Sequence, residues 1–295
     1  MKAILIGVAI ALGGIGVLTM MDAVAKLIVS GELHLMQILF VRSAIIVTGM
    51  LSVYRFRSTS TNLKPVKWGL QIIRGLIGSI APIAFFSALR YLPLTDATVI
   101  AYTSVFFTTI LSAIVLRERV GIWRWSAILI GYAGVLLAIP PDGDGAWFGY
   151  FLVLIASLAY STLAISGKWL TRSESTASLV IIYNLCVAAV TLFWLPTVWQ
   201  PLSLSQITPL ALFGLMAVVG QFMLVEAYRR LDGSLMAPLE YTSLAWAIAL
   251  DILIWNDVPG PRVLLGAFII IAASLFVIHR EHLRMNARAN HGTPE

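Results

Sequence analysis

Long apolar stretches recur along the whole chain, broken by short runs that carry charges, proline or glycine. They fall at 4–29, 35–54, 69–90, 94–116, 124–140, 147–168, 177–198, 207–230, 234–256 and 262–279. Each is close to the roughly 20 apolar residues that a helix needs to cross the hydrocarbon of a bilayer. The pattern therefore predicts an all-α membrane protein with ten transmembrane helices. Pro93, Pro140-Pro141, Pro201 and Pro259-Gly260-Pro261 punctuate the joins, where helices must stop. Lys2 precedes the first stretch, and Ala23-Val24-Ala25 resembles a signal cleavage site. The run from Ala3 to Met21 is nevertheless longer than a signal h-region of about 7–15 residues, so it reads as a retained first span.

Composition narrows the class further. Of 295 residues, 59% are hydrophobic and 12% charged, about half the charged share of a soluble domain. The mean hydropathy is +0.91. Ten spans leave short loops and no room for a separate soluble domain. The formal charge of +6 would suggest nucleic acid in a soluble protein, but no basic patch interleaves with exposed aromatics. Basic residues instead set topology. With the N-terminus in the cytoplasm, the inner segments hold 15 Lys and Arg: Lys2, Arg55, Arg57, Lys64, Lys67, Arg117, Arg119, Arg124, Lys168, Arg172, Arg229, Arg230, Arg280, Arg284 and Arg288. The outer ends hold three, Lys26, Arg90 and Arg262. That asymmetry follows the positive-inside rule, and the basic tail places the C-terminus inside as well. Eight of the nine tryptophans lie near span ends, as interfacial indoles do; Trp246 is the exception. The lone Cys186 excludes an intrachain disulfide and reads as a small packed hydrophobe.

Residues 88–104 (ALRYLPLTDATVIAYTS) and 227–243 (AYRRLDGSLMAPLEYTS) align without gaps at an offset of 139, with six of 17 positions identical. The matches are Ala88/Ala227, Arg90/Arg229, Leu92/Leu231, Tyr102/Tyr241, Thr103/Thr242 and Ser104/Ser243. Shared apolar composition does not easily produce a Tyr-Thr-Ser triplet in register with Arg-x-Leu. Five spans separate the copies, an odd number, so the two copies are expected in opposite orientations. Inverted repeats of this kind place a solute near the bilayer midplane and work by alternating access. The division that follows is a first five-helix repeat at 1–140, a second at 147–279, and a cytoplasmic tail at 280–295.

Residues 88–137 resemble the core of the drug/metabolite transporter superfamily in its EamA-type branch. The marks are the Ala-Leu-Arg-Tyr-Leu joint, Asp-Ala-Thr opening the fourth span, Arg-Glu-Arg at its inner end, then a Trp and a Gly-spaced fifth span. Through the repeat the resemblance covers essentially the whole chain, with the sixth and seventh spans least similar. The second copy departs from the pattern, with Asp257 where Glu118 stands in the first and Pro238 without a counterpart. The resemblance implies a ten-helix basket whose cavity is lined by spans one, three, four, six, eight and nine. Members of the family move amino acids, nucleotide-type metabolites, vitamins or drugs in either direction. They include a bacterial exporter of aromatic and other amino acids, similar to this chain in size and layout.

Ionisable residues within a span are expensive and mark candidate sites. Asp22 and Lys26 stand four apart, the spacing of a helical ion pair, and Glu226 stands within reach of Arg229 and Arg230. Arg42 and Arg74 read as bundle-stabilising residues, and Asp251, near an outer end, reads as solvated. Glu240 lies about 9 Å from the inner end of its span, two residues after Pro238. A proline frees a backbone carbonyl, so two readings stand: a site for a substrate amine or proton, or a carboxylate bonded to a neighbouring helix. Tyr102 and Ser104 mirror Tyr241 and Ser243. Trp246 is on the Ser243 face, and Phe85 and Tyr160 fall at comparable depth. Hydroxyls can bond a carboxylate or amine and rings can cover an apolar group, although lipid contact or packing explains each aromatic taken alone.

The expected function is export of small metabolites, amino acids foremost, by a monomer in the bacterial inner membrane. The alternative is uptake or export of a nucleotide-type metabolite, vitamin or drug. An intramembrane enzyme is disfavoured, because His34, His279, His282 and His291 lie at span ends or in the tail and no nucleophile–base pair is evident. Asp142-Gly143-Asp144-Gly145 resembles a calcium loop but lacks its remaining ligands. No catalytic residue, cofactor, metal or nucleic-acid partner is expected; the partners are the substrate and the lipid bilayer.

Overall fold

The computed structural model describes residues 2–56, 65–115, 122–139, 146–170, 173–228, 230–231, 236 and 239–290. They form helices and no strand. In chain order the helices are α1 (Lys2–Val29), α2 (Leu35–Phe56), α3 (Trp68–Gly78), α4 (Ile80–Ala88), α5 (Leu94–Ala101), α6 (Thr103–Val115), α7 (Ile122–Ala138), α8 (Trp147–Leu170), α9 (Thr176–Leu192), the short α10 (Leu195–Val198), α11 (Leu204–Tyr228), α12 (Thr242–Trp255) and α13 (Pro261–Asn290). Each predicted span overlaps an apolar helical segment of the described residues. Six segments are long and apolar enough to cross a membrane: Leu5–Val29, Leu35–Val53, Trp68–Ala88, Leu94–Val115, Trp147–Leu170 and Leu204–Leu224. Four more, Ile128–Ala138, Ala177–Leu192, Thr242–Trp255 and Pro261–Ala273, are apolar but shorter.

Several predicted spans are interrupted: the third turns at Ser79 between α3 and α4, the fourth at Tyr102 between α5 and α6, the seventh at Phe193–Trp194 between α9 and α10, and the ninth at Tyr241 before α12. For the fourth and ninth, the repeated residues show why. Thr103 Oγ1 donates to the Ile100 carbonyl at 2.7 Å, and Thr242 Oγ1 donates to the Leu239 carbonyl at 2.6 Å. In both copies a hydroxyl competes for a backbone carbonyl three residues back, which loosens the helical ladder locally. The preceding tyrosines adopt nearly one conformation, φ −63° and ψ −14° at Tyr102, φ −67° and ψ −14° at Tyr241. The triplet seen in the sequence is thus a duplicated break.

α1 packs on α11, α2 on α9 and α11, α3 on α8 and α9, and α4 and α6 on α8. α12 packs on α1 and α5, and α7 packs on α13. The α7–α13 contact is a close backbone approach. A Cβ on Gly266 would lie 2.5 Å from the Gly134 carbonyl oxygen, so glycine is required where these two helices meet.

At the end of the bundle where α1 stops and α5 starts, polar groups knit the helices together. Asp251 of α12 is 1% exposed, and its carboxylate accepts from the backbone N–H of Leu94 at 3.1 Å and of Thr95 at 2.6 Å. It also accepts from Lys26 Nζ at 3.1 Å, and that ammonium stands 4.1 Å from the Trp255 ring centroid. Lys26 therefore pairs across 225 residues, not with its helical neighbour Asp22, and Asp251 is not solvated. A carboxylate that must cap two otherwise orphaned N–H groups of α5 needs a buried cation, and Lys26 supplies it. Nearby, Arg90 Nε donates to the Val29 carbonyl at 2.8 Å, Tyr150 donates to Asp96 at 2.9 Å, and Gln37 exchanges hydrogen bonds with the Gln200 backbone.

The opposite end uses the same device once. Glu174, between α8 and α9, accepts from the N–H of Lys67 at 2.6 Å and of Val66 at 3.0 Å, anchoring the entry to α3. The expected Glu226 contact is present as an ion pair with Arg230, 2.6 Å; Arg229 lies outside the described residues. Arg74 ties α3 to α8 and α9 through the carbonyls of Leu163 (3.2 Å) and Leu179 (3.4 Å). Cys186 is buried as expected, facing the Ile72 carbonyl at 3.8 Å.

Asp251→Ala should lower stability by about 3–5 kcal/mol, because it leaves Lys26 buried and unpaired. Asp251→Ala combined with Lys26→Met should recover part of that loss, read by unfolding in detergent or nanodiscs. Glu174 gives a pH signature. Partial burial pushes its carboxyl up, but the N–H donors of Lys67 and Val66 outweigh burial and hold it below the ordinary 4.5. A depressed carboxyl stabilises the fold above its unfolded value, and that contribution disappears as pH falls through the folded value. Melting temperatures measured below pH 4.5 should therefore fall less steeply in Glu174→Gln than in the wild type.

Candidate functional site

The two Tyr-Thr-Ser breaks meet inside the bundle. The Tyr102 and Tyr241 rings pack edge to face with centroids 5.1 Å apart. The Tyr102 hydroxyl shares a 2.7 Å hydrogen bond with Ser243 Oγ and reaches the Tyr241 carbonyl at 3.4 Å. Ser243 Oγ is also 2.7 Å from the Glu240 carbonyl, as donor to it. This side-chain pairing is one-sided. On the other copy, the Ser104 backbone carbonyl accepts from Ser161 Oγ of α8 at 2.8 Å. Ser104 therefore secures α6 to α8 through its backbone.

Polar and aromatic groups surround the paired breaks. Tyr160 of α8 is 57% exposed. It is within electrostatic reach of Glu240 and of Tyr183 on α9. Glu240 is likewise within reach of Tyr102. Tyr183 is within electrostatic reach of both Arg42 and Arg74. Trp246 is 41% exposed and rests its indole on Gly16 of α1, where a Cβ would come within 3.1 Å of the ring. Phe85 is half-buried and packs edge to face on Phe86 at 5.6 Å, as part of the apolar core. Of the eight sequence candidates, Tyr102, Tyr241 and Ser243 touch one another, and Glu240 is within electrostatic reach of Tyr102 and Tyr160. Trp246 packs on α1, Phe85 on Phe86, and Ser104 meets Ser161 through its backbone carbonyl. Pro238 lies outside the described residues.

Three further groups in the same region are not marked by the repeat. Arg42 is 8% exposed and sandwiched between Phe86 and Phe213, 5.6 and 5.3 Å from their ring centroids. Asp22 is half-buried and feels the charge of Arg42. Tyr183 completes the trio. In the sequence, depth alone points to the first two. Asp22 and Arg42 each lie seven residues from the joined ends of α1 and α2, roughly 10 Å along antiparallel helices, so they arrive at one level.

The sequence profile of the EamA-like transporter family matches residues 4–139 and 147–279. The chain is similar to the S-adenosylmethionine uptake transporter of Rickettsia bellii, 27% identical over 261 residues that cover 87% of this chain and 88% of that protein. It is also similar to the pseudopaline exporter CntI of Pseudomonas aeruginosa, 27% identical with 83% and 87% covered. The riboflavin transporter of Vibrio cholerae is 26% identical, with 85% of each chain covered. A crystal structure with 19% identity superposes with a TM-score of 0.63 over 94% of this chain and 96% of its own, a likeness of fold alone.

The tyrosine–serine contact yields a coupling measurement. Tyr102→Phe and Ser243→Ala should each lower stability by about 1 kcal/mol, the usual net worth of one hydrogen bond. The double variant should lose less than the sum of the two, since one bond is common to both. Full additivity in a thermal-unfolding cycle would show that the two hydroxyls do not interact.

Proposed function

We propose that this chain, which belongs to the EamA-like transporter family, exports small metabolites, amino acids foremost, by alternating access through the chamber between two inverted five-helix halves. The duplicated Tyr-Thr-Ser break carries the reading. Its two copies share backbone conformation and a threonine-to-carbonyl bond, and they face each other where a solute would sit at the midplane. The packing supports the same division, with halves at 1–140 and 147–279 and the cytoplasmic tail at 280–295. Numbering the spans one to ten, contacts come in mates related by exchanging the halves. Span one on eight answers to three on six, and two on eight answers to three on seven. One on nine answers to four on six, while two–seven, four–nine and five–ten are their own mates.

With both termini in the cytoplasm, as the basic segments indicate, the end knitted by Asp251, Lys26, Arg90 and Tyr150 faces outward. The arrangement is then closed to the outside, and opening requires breaking the Lys26–Asp251 pair and its hold on α5. Tyr102, Tyr241, Ser243, Glu240, Tyr160 and Trp246 line the solute path, with Ser104 and Phe85 behind it. Glu240 stands beside the second break, placed to meet a substrate ammonium or a proton. The protein works as a monomer in the bacterial inner membrane and performs no catalysis.

A second reading has its own support: relatives at similar identity are named for S-adenosylmethionine, pseudopaline and riboflavin, and one of them for uptake. Proteoliposomes loaded separately with labelled amino acids, S-adenosylmethionine and riboflavin distinguish the two. Amino acids are expected to leave faster than from protein-free vesicles. Folded protein that releases none of them but releases riboflavin or S-adenosylmethionine would replace the first reading with the second.

A further inference from the structure

Arg42 is a costly side chain as it stands. Its guanidinium is always charged and buried between two phenylalanine rings, yet Nε has no hydrogen-bond partner. Nη2 finds only the Met21 thioether, at 4.0 Å. Ring faces stabilise the charge but offer no lone pair to the N–H donors, and a buried cation without a carboxylate is strongly unfavourable. Arg74 shows the ordinary solution, since its donors are spent on the carbonyls of Leu163 and Leu179. Arg42 has not been given that solution.

Asp22 presents the complementary case. It is half-buried in the same region and makes no hydrogen bond among the described residues. Lys26, the cation one turn away on its own helix, is held by Asp251. Arg42 is close enough for the two charges to sense each other, but they form no direct ion pair. Helix α1 thus presents an uncommitted carboxylate and α2 an uncommitted guanidinium, at one depth, with Tyr183 within electrostatic reach of Arg42 and Tyr160 within reach of Tyr183. A solute that carries an ammonium and a carboxylate on one carbon satisfies both residues at once.

We infer that Asp22 and Arg42 form a clamp for the free α-ammonium–carboxylate head group of an amino acid or of a larger solute that carries one. Arg42 takes the carboxylate through its fork of N–H donors, and Asp22 takes the ammonium. The aromatic residues accept whatever side chain follows. The clamp rests on the transport reading and deepens it: it sets what all solutes of this site have in common and leaves the side chain free.

The purified chain in detergent tests this through thermal shifts with three pools at equal concentration: free amino acids, their carboxamides and their N-acetyl derivatives. Free amino acids should raise the melting temperature, with roughly tenfold or more weaker apparent affinity for either blocked pool, the scale of losing one partner of a buried charge pair. Asp22→Asn should erase the discrimination against N-acetyl derivatives, and Arg42→Gln the discrimination against carboxamides, with Arg42→Lys intermediate. No shift from free amino acids overturns the clamp, as does an equal shift from all three pools. So does selectivity that persists in both folded variants. The wild-type comparison decides even if Arg42→Gln fails to fold. Efflux from vesicles separates this from the parent reading. Movement of solutes lacking the head group, unchanged in Asp22→Asn, would keep transport and remove the clamp. Head-group-selective binding with no efflux of any solute would keep the clamp and remove transport.

Discussion

A helix that starts inside a bilayer has backbone N–H groups with no water to receive them. In this protein that constraint fixes where the distant parts of the chain meet. Asp251 brings its carboxylate from α12 to the first turn of α5, and its burial then demands a cation, which Lys26 provides from α1. One unsatisfied helix end thereby gathers three helices that sequence separates by up to 225 residues. Glu174 repeats the device for α3 at the other end of the bundle.

The spans are legible in the sequence because hydrocarbon thickness imposes a length and apolarity that few other structures share. The Tyr-Thr-Ser triplet is legible because a duplicated polar break in an apolar chain stands out, and both copies adopt the same local bonds. Pairing of charges is less legible. Sequence spacing favours Asp22 with Lys26, the local i,i+4 partner. The structure prefers Asp251, since a fully buried carboxylate gains far more from a cation than a half-exposed one does. No spacing rule reports a partner on the ninth span. Arg42 is similarly opaque: its flanking rings, Phe86 and Phe213, come from α4 and α11 and meet only in the folded bundle.

Symmetry in the backbone and asymmetry in the side chains coexist here. The tyrosines of the two breaks are alike in conformation, yet Ser243 bonds Tyr102 while Ser104 contributes only its carbonyl to Ser161. Glu240 precedes the tyrosine of one copy, whereas the small apolar Ala101 holds the equivalent position in the other. Duplication supplies a scaffold of matched breaks, and divergence of a few polar residues gives its two sides different chemistry.

The solitary thiol has a practical consequence. Cys186 is buried where α9 meets α3, with the Gly75 backbone pressed against its sulfur. Reagents in solution have little access to it, and replacing it alone gives a background free of native thiols. Reporter groups can then be attached one pair at a time across the bundle, so that distances between chosen helices become measurable by spin-label or fluorophore spectroscopy.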